Sequence, residues 1–270
     1  MATDKPVEQL KQEAKQEEGI TEKTAPHAPT TVTKPVRHYR AYLFQIYVIA
    51  AVIGFGVLFF FARTVPYFAF DLTIEHAVQS IQWTPFRDLM LYVSGLGFDP
   101  LSYLLAGLII AYLFVVGLRW EAVMALFAAG GVALMGAVIK VIVQRARPTP
   151  DLVNVFSPLN DYSFPSGHVL MYTAFLGFLF FLFYTLSPHS WQRVLGMLVT
   201  GLLVALVGIS RVYLGQHWPS DVLGAYLFGS VWLALTIYVY RWGKTRFFVH
   251  QPAAPEQPRG TSQHSQQARP

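Results

Sequence analysis

The chain has 270 residues, 54% of them apolar and only 13% charged, with no cysteine. An average soluble domain carries about 25% charged residues and a disordered chain has fewer aromatics than the 15% found here, so a mean hydropathy of +0.41 points to a polytopic membrane protein. Without cysteine there are no disulfide frameworks, thiolate metal sites or cysteine nucleophiles, and the net charge of +5 takes its meaning from where the charges lie.

Residues 1–40 are polar, with 7 basic and 6 acidic groups and few apolar side chains. They bury too little to offset chain entropy and are expected to form a disordered cytoplasmic tail. Nothing apolar follows Met1 closely, so no cleavable signal peptide is expected. Residues 241–270 read as a second cytoplasmic tail with 5 basic groups and 1 acidic, leaving 8 of each in the body at 41–240. The excess positive charge therefore sits in the tails. It implies cytoplasmic anchoring and no nucleic-acid partner.

Six segments of the body are nearly free of charge: Ala41–Ala62, Leu101–Leu118, Ala122–Val143, Val169–Ser187, Val194–Ser210 and Val222–Tyr240. Each is close to the ~20 residues that cross the hydrocarbon core. In lipid the backbone must satisfy its own hydrogen bonds, so the spans are helices. The expected fold is all-α, a polytopic membrane protein of six transmembrane helices. Between spans one and two, Phe70, Ile74, Ala77, Val78 and Ile81 recur at helical spacing beside a polar face of Asp71, Glu75, Gln79 and Gln82. That pattern predicts an interfacial amphipathic helix. Phe86 to Val93 is either a second short helix or the start of the second span.

Lys34, Arg37, Arg40, Arg119, Arg193, Arg241, Lys244 and Arg246 all fall on one side of a six-span chain, which the positive-inside rule makes cytoplasmic. Both termini are expected there, in a cell (inner) membrane. The other, periplasmic or extracellular side receives Arg63, Arg87, Lys140, Arg145, Arg147 and Arg211, too basic for an ordinary external loop.

Three blocks end on that external face. Lys140 and Arg147 lie seven apart, two helical turns, and can reach one point from one helix face before Pro148 ends the helix. Arg145 falls off that spacing and reads as a surface anchor. In the second block, Ser166 is an N-cap candidate for the fourth span and Gly167 admits close backbone approach to a ligand. Free N–H groups at such a helix start suit an anion. In the third, Arg211 is followed by His217 and Asp221 at i, i+4, with Pro219 at a first helical position. There the carboxylate can accept Nδ1–H and leave Nε2 free. Three cations, backbone donors and two histidines are what phosphoryl transfer through a covalent intermediate requires. Lys140, Arg147 and Arg211 neutralise the phosphate, His217 attacks, and His168 serves as acid and then base. Asp151, Asp161 and Asp221 are the only carboxylates near these blocks, so no metal or other cofactor is expected.

The pattern Lys140-x6-Arg147-Pro148, then Pro165-Ser166-Gly167-His168, then Ser210-Arg211-x5-His217-x3-Asp221 resembles the type-2 phosphatidic acid phosphatase superfamily. The likeness covers roughly Tyr42 to Tyr240. It implies a six-helix fold and metal-independent dephosphorylation through a phosphohistidine on His217. It also implies phosphate contacts from Lys140, Arg147, Ser166, Gly167 and Arg211. Soluble vanadium haloperoxidases share the signature, but six spans favour the lipid-phosphatase branch. The expected partner is a lipid phosphate or pyrophosphate drawn from the bilayer, of the phosphatidic acid, phosphatidylglycerol phosphate or undecaprenyl pyrophosphate type.

Outside these blocks the plainer readings prevail. His76 and His189 read as structural, and Gly130, Gly131 and Gly136 as sites of close helix packing. Tyr162 and Trp218 lie near the site, as substrate contacts or interface anchors. Two other functions fit parts of the pattern: a phosphotransferase with the same chemistry and a lipid acceptor, and an anion or lipid transporter. Transporters place charges near the midplane in repeated halves, whereas these charges sit at helix ends and no repeat is visible.

Overall fold

A computed structural model describes residues 34–248 of the chain. Among the described residues the regular structure is entirely helical. In chain order the helices are α1 (Lys34–Thr64), α2 (Ala69–Gln79), α3 (Thr84–Gly95), α4 (Leu101–Val115), α5 (Arg119–Val143), α6 (Gly167–Leu186), α7 (Trp191–Tyr213) and α8 (Pro219–Gly243). Two compact units divide the chain between Ile46 and Tyr47. The described part of the first is the N-terminal portion of α1.

Among the described residues, five helices are long and apolar enough to cross a membrane: α1 from Ala41, α5, α6, α7 and α8 with its extension to Phe247. This is a multi-pass membrane protein. The segment expected as the second span is the shorter α4, whose 15 residues rise only about 22 Å. The stretch before it forms α3, a helix of its own, separated from α4 by the turn at Leu96–Pro100.

Helical structure extends past the expected tail boundaries at both ends. Residues 34–40 belong to α1. Pro35 stands in the first turn, where its missing N–H costs nothing. At the other end, 241–243 complete α8 and Lys244–Phe248 add a π-helical turn. The rest of both expected tails lies outside the described residues.

Within the second unit, α5 is the spine of the bundle. Ala122, Ala125, Ala128 and Ala129 form a smooth buried stripe against Phe175, Phe178, Leu179 and Leu182 of α6 and Tyr240 of α8. Without a hydrophobic force between helices in lipid, small residues let backbones approach and gain dispersion contact. Gly131 accepts the indole of Trp232 and Gly136 the side chain of Leu170, leaving no room for a Cβ at either. Gly130 faces open space apart from Leu126 of its own helix, so the packing reading holds for two of the three glycines. A second core joins Val93 of α3 to Val132, Leu170, Tyr172, Val207 and Ala225.

The helix between α1 and α3 forms as its periodicity predicts, with its acidic face turned into the protein. Asp71 and Glu75 are fully buried, while Phe70 and Ile74 are 43% exposed. An amphipathic pattern shows that a helix has two faces; which one turns inward depends on what it meets. Here Asp71 meets a buried arginine, Arg145.

Candidate active site

At one end of the bundle meet the C-termini of α5 and α7, the N-termini of α6 and α8, helix α2, and the loop at 144–166. A cavity of about 490 Å³ opens there, lined among others by Lys140, Arg147, Asp161, His168, Arg211 and His217. The structure thus brings together the three sequence blocks.

Lys140 and Arg147 converge, though not through one helix face. α5 stops at Val143, where Gln144 takes a left-handed conformation (φ 54°) and its N–H bonds Lys140 O. Arg147 lies in the following loop, and Pro148 comes four residues too late to be the stop. The two side chains meet at Asp161. Lys140 Nζ is 2.7 Å from Oδ2, and Arg147 Nη2 and Nε are 2.6 and 3.1 Å from Oδ1. Lys140 also donates to Tyr162 O, and Arg147 to Gln216 O. Burial works against the Asp161 charge, but the Lys140 hydrogen bond, with the Lys140 and Arg147 charges, holds its carboxyl below the usual range.

The histidine at 217 is buried, with Nε2 3.1 Å from Arg147 Nη1. Guanidinium nitrogens only donate, so Nε2 presents its lone pair and the neutral ring carries its proton on Nδ1. Burial, followed by the charges of Arg147, Arg211 and Lys140, holds His217 well below the ordinary imidazole value. The ring is therefore neutral at pH 7, with an unprotonated nitrogen facing the cavity.

Asp221 stands farther from this ring than the i, i+4 spacing suggested: Nδ1 to Oδ2 is 3.7 Å, beyond hydrogen-bond reach. Only from Pro219 onward is the backbone helical, so the pair does not share a helical turn. Ser163 stands between them. Its hydroxyl donates to Asp221 Oδ2 at 2.5 Å, and its oxygen lies 3.4 Å from Nδ1. With its one proton committed to Asp221, the hydroxyl can only accept from Nδ1–H. Asp221 Oδ2 also caps α8 by accepting from Trp218 N at 3.0 Å.

Arg145 is no surface anchor. It is 2% exposed, and it donates to Asp221 Oδ1 (2.6 Å), Ser220 Oγ (2.7 Å), Asp71 Oδ2 (3.1 Å) and Pro66 O (3.0 Å). Asp71 in turn accepts from Ser220 N at 2.8 Å. Sequence reasoning missed Arg145, Asp71 and Ser163. A usable signal was present for the first two: three cations within eight residues of a charge-poor body need buried counter-charges, and α2 offers carboxylates.

On the other wall, Arg211 is fully buried, 2.6 Å from Ser94 Oγ and 3.4 Å from His168 Nε2. Its guanidinium lies 5.1 Å from the centre of the Phe98 ring, which also meets the His168 ring edge-on at 4.9 Å. A Cβ at Gly97 would overlap that imidazole. Ser166 is the N-cap residue of α6 by position, but its hydroxyl makes no capping bond. Among the described residues, Ser166 Oγ and Arg211 Nε are buried without a hydrogen-bond partner, an expensive condition unless a ligand supplies the acceptor. A Cβ at Gly167 would meet nothing within 4 Å, and this residue lines the cavity.

The remaining candidates make contacts within the fold. Trp218 is buried, donates to Ala146 O at 3.1 Å and packs on Tyr67. Tyr162 is exposed and contributes its carbonyl. His76 Nε2 sits 2.9 Å from Leu152 O, tying α2 to the loop, and His189 sits 3.3 Å from Arg193. Among the described residues, no three His, Asp or Glu side chains form a metal-binding group.

Fold and site together define a helical membrane protein with a cationic, two-histidine pocket at the bundle end, suited to a phosphate group. The PAP2 superfamily model matches residues 100–245, and the chain belongs to that family. Phosphatidylglycerophosphatase B of Bacillus subtilis is 31% identical over 166 residues, 59% of this chain and 77% of the relative. Undecaprenyl-diphosphatase of Sulfolobus acidocaldarius is 36% identical over 105 residues, 37% of this chain and 46% of the relative. The crystal structure of a transmembrane PAP2-type phosphatidylglycerolphosphate phosphatase from Bacillus subtilis superposes with a TM-score of 0.64 at 27% identity. It covers 74% of this chain and 98% of that one. The resemblance read from the three blocks is thereby borne out.

Proposed function

We propose that this protein removes phosphate from a lipid phosphate or diphosphate through a phosphohistidine on His217, at the non-cytoplasmic face of the membrane. The observation that carries the proposal is the neutral His217 Nε2, held at 3.1 Å by Arg147 on the wall of a cavity with Lys140 and Arg211. Nε2 attacks phosphorus, a nitrogen–phosphorus bond forms, and the bond to the leaving oxygen breaks. His168, 3.4 Å from Arg211, gives that oxygen a proton. His168 then takes a proton from the water that releases phosphate and restores His217. The cations and the partnerless donors of Ser166 and Arg211 match charge spread over the equatorial oxygens. No step requires a metal.

A lipid substrate is supported by a second, apolar groove of about 770 Å³ that shares Ser102 and Met171 with the catalytic cavity. It runs between α4, α6 and α7 from Leu96 to Leu186 and Trp191. The names of the two relatives, one acting on a glycerophospholipid and the other on a prenyl diphosphate, support the same substrate class. The alternation of helices and the basic flanks of α1, α5, α7 and α8 favour cytoplasmic termini and an external site.

The test is phosphate release from short-chain phosphatidic acid and a prenyl diphosphate by purified protein in detergent with chelator present. Turnover is expected in the wild type, with loss of about a thousandfold or more in His217→Ala. Full activity in that variant overturns the nucleophile, and loss with chelator overturns metal independence.

A further inference from the structure

The two cations that face His217 are already paired, and their partner is a carboxylate of the chain itself. Asp161 presents both oxygens to them: Oδ2 to Lys140 at 2.7 Å, Oδ1 to Arg147 Nη2 at 2.6 Å and Nε at 3.1 Å. This two-oxygen grip is how a phosphate would engage the same side chains. Arg147 is the shared point, since Nη1 touches the nucleophile while Nη2 and Nε hold Asp161. A phosphate bound to Lys140 and Arg147 within reach of Nε2 needs the same donor positions. The Asp161 carboxylate lines the cavity, yet its side chain is 56% exposed, on the loop that leads into α6. It can swing outward without disturbing the core.

We propose that Asp161 is a tethered competitor within the binding site: an anion that occupies the phosphate position and must be displaced by the substrate. This rests on the reading of the cavity as a phosphate site. The physical consequence follows from the surroundings. A site at the bilayer surface faces a vast excess of phosphodiester headgroups, each carrying one negative charge on its phosphate. A carboxylate of equal charge, held at an effective concentration of about millimolar or more, displaces such weak binders from the cations. A phosphomonoester or diphosphate brings about −1.5 to −2 or more, and so exchanges one charge for two. The displacement penalty is the same for every anion, so relative affinities are unchanged while weakly bound anions leave the site empty. Asp161 stays ionised throughout the physiological range, because its two cations hold it below the usual carboxyl value.

The test is equilibrium binding, independent of turnover. Calorimetry of inorganic phosphate and of dimethyl phosphate is performed at pH 8 on the full chain in detergent. The proteins are wild type, Asp161→Asn, Asp161→Ala, and Asp151→Asn as a loop control outside the cavity. Both Asp161 variants are expected to bind phosphate about tenfold more tightly, as when a site competent about a tenth of the time becomes always competent. Dimethyl phosphate is expected to bind measurably only to them. Unchanged or weaker binding in the Asp161 variants overturns the proposal, because Asp161 would then be holding the cations in place for the ligand. Equal tightening by Asp151→Asn overturns it too, as a general field effect. If no protein binds phosphate, including the Asp161 variants, the phosphate-site reading falls and the proposal with it.

Discussion

Replacing Arg145 with methionine keeps much of the side-chain volume but removes the cation from between two buried carboxylates. Asp71 and Asp221 are each 0% exposed and lie 3.1 and 2.6 Å from the guanidinium. Breaking a buried ion pair from one side costs about 3–5 kcal/mol, because the remaining charge is stranded. Asp71 keeps its two bonds from Ser220, and Asp221 keeps Ser163 and Trp218 N. The middle of the range, about 4 kcal/mol, is therefore the expectation. For a chain of this size that is a drop in Tm of about 10 °C, read by thermal unfolding in detergent. Activity is expected to fall about a hundredfold, since Asp221 orients Ser163 and Ser163 orients His217. Arg145→Lys should not restore it, because one ammonium cannot reproduce a fork bonded to Asp71, Ser220, Asp221 and Pro66 O. Combining Arg145→Met with Asp71→Asn removes one stranded charge and should recover about half the stability without the activity. An Arg145→Met protein that unfolds within about 2 °C of wild type and keeps its turnover would refute the reasoning.

Three further outcomes follow from the same geometry. Ser163→Ala removes the acceptor for Nδ1–H and is expected to lower kcat about tenfold with little change in KM, while Ser163→Thr keeps the hydroxyl and most of the rate; equal losses in both would remove Ser163 from the chain to Asp221. Glu75 is pushed from an ordinary 4.5 up to about 8 by burial, then by the charges of Asp71 and Asp221. The folded protein thus holds a proton that the unfolded chain has released. Stability is full below about pH 4.5 and is lost as the pH rises toward 8, so Glu75→Gln should flatten Tm between pH 5 and 9, and parallel profiles would contradict this. Gly215 has a φ of +64°, and a Cβ there would strike Asn154 O, whereas a Cβ at Gly167 meets nothing within 4 Å. Gly215→Ala should therefore lower Tm, and Gly167→Ala should spare it while slowing phosphate release, because it narrows the cavity; the reverse order would argue against this placement.

Much of this protein was legible from the chain. Helices follow from the charge-free segments, because lipid leaves the backbone no other way to satisfy its hydrogen bonds, although α4 is shorter than its segment suggested. Their alternation is enough to carry Lys140, Ser166, Arg211 and His217 to one end. The amphipathic period of 69–79 likewise announces a helix. Sequence spacing failed where an argument assumed continuous helix. Lys140 and Arg147 meet at a loop carboxylate beyond the end of α5, and His217 lies before the first turn of α8, out of reach of Asp221. Periodicity gives two faces without saying which is inside, so α2 turned out to bury its acids. That choice belongs to tertiary structure: a buried charge is tolerable only beside its opposite, and Arg145 and Asp71, 74 residues apart, meet only when the bundle closes. The same closure sets Ser163 between Asp221 and His217 and lays Asp161 across the two cations. Local chemistry named the reactive groups, and long-range pairing of scarce charges decided how they are held.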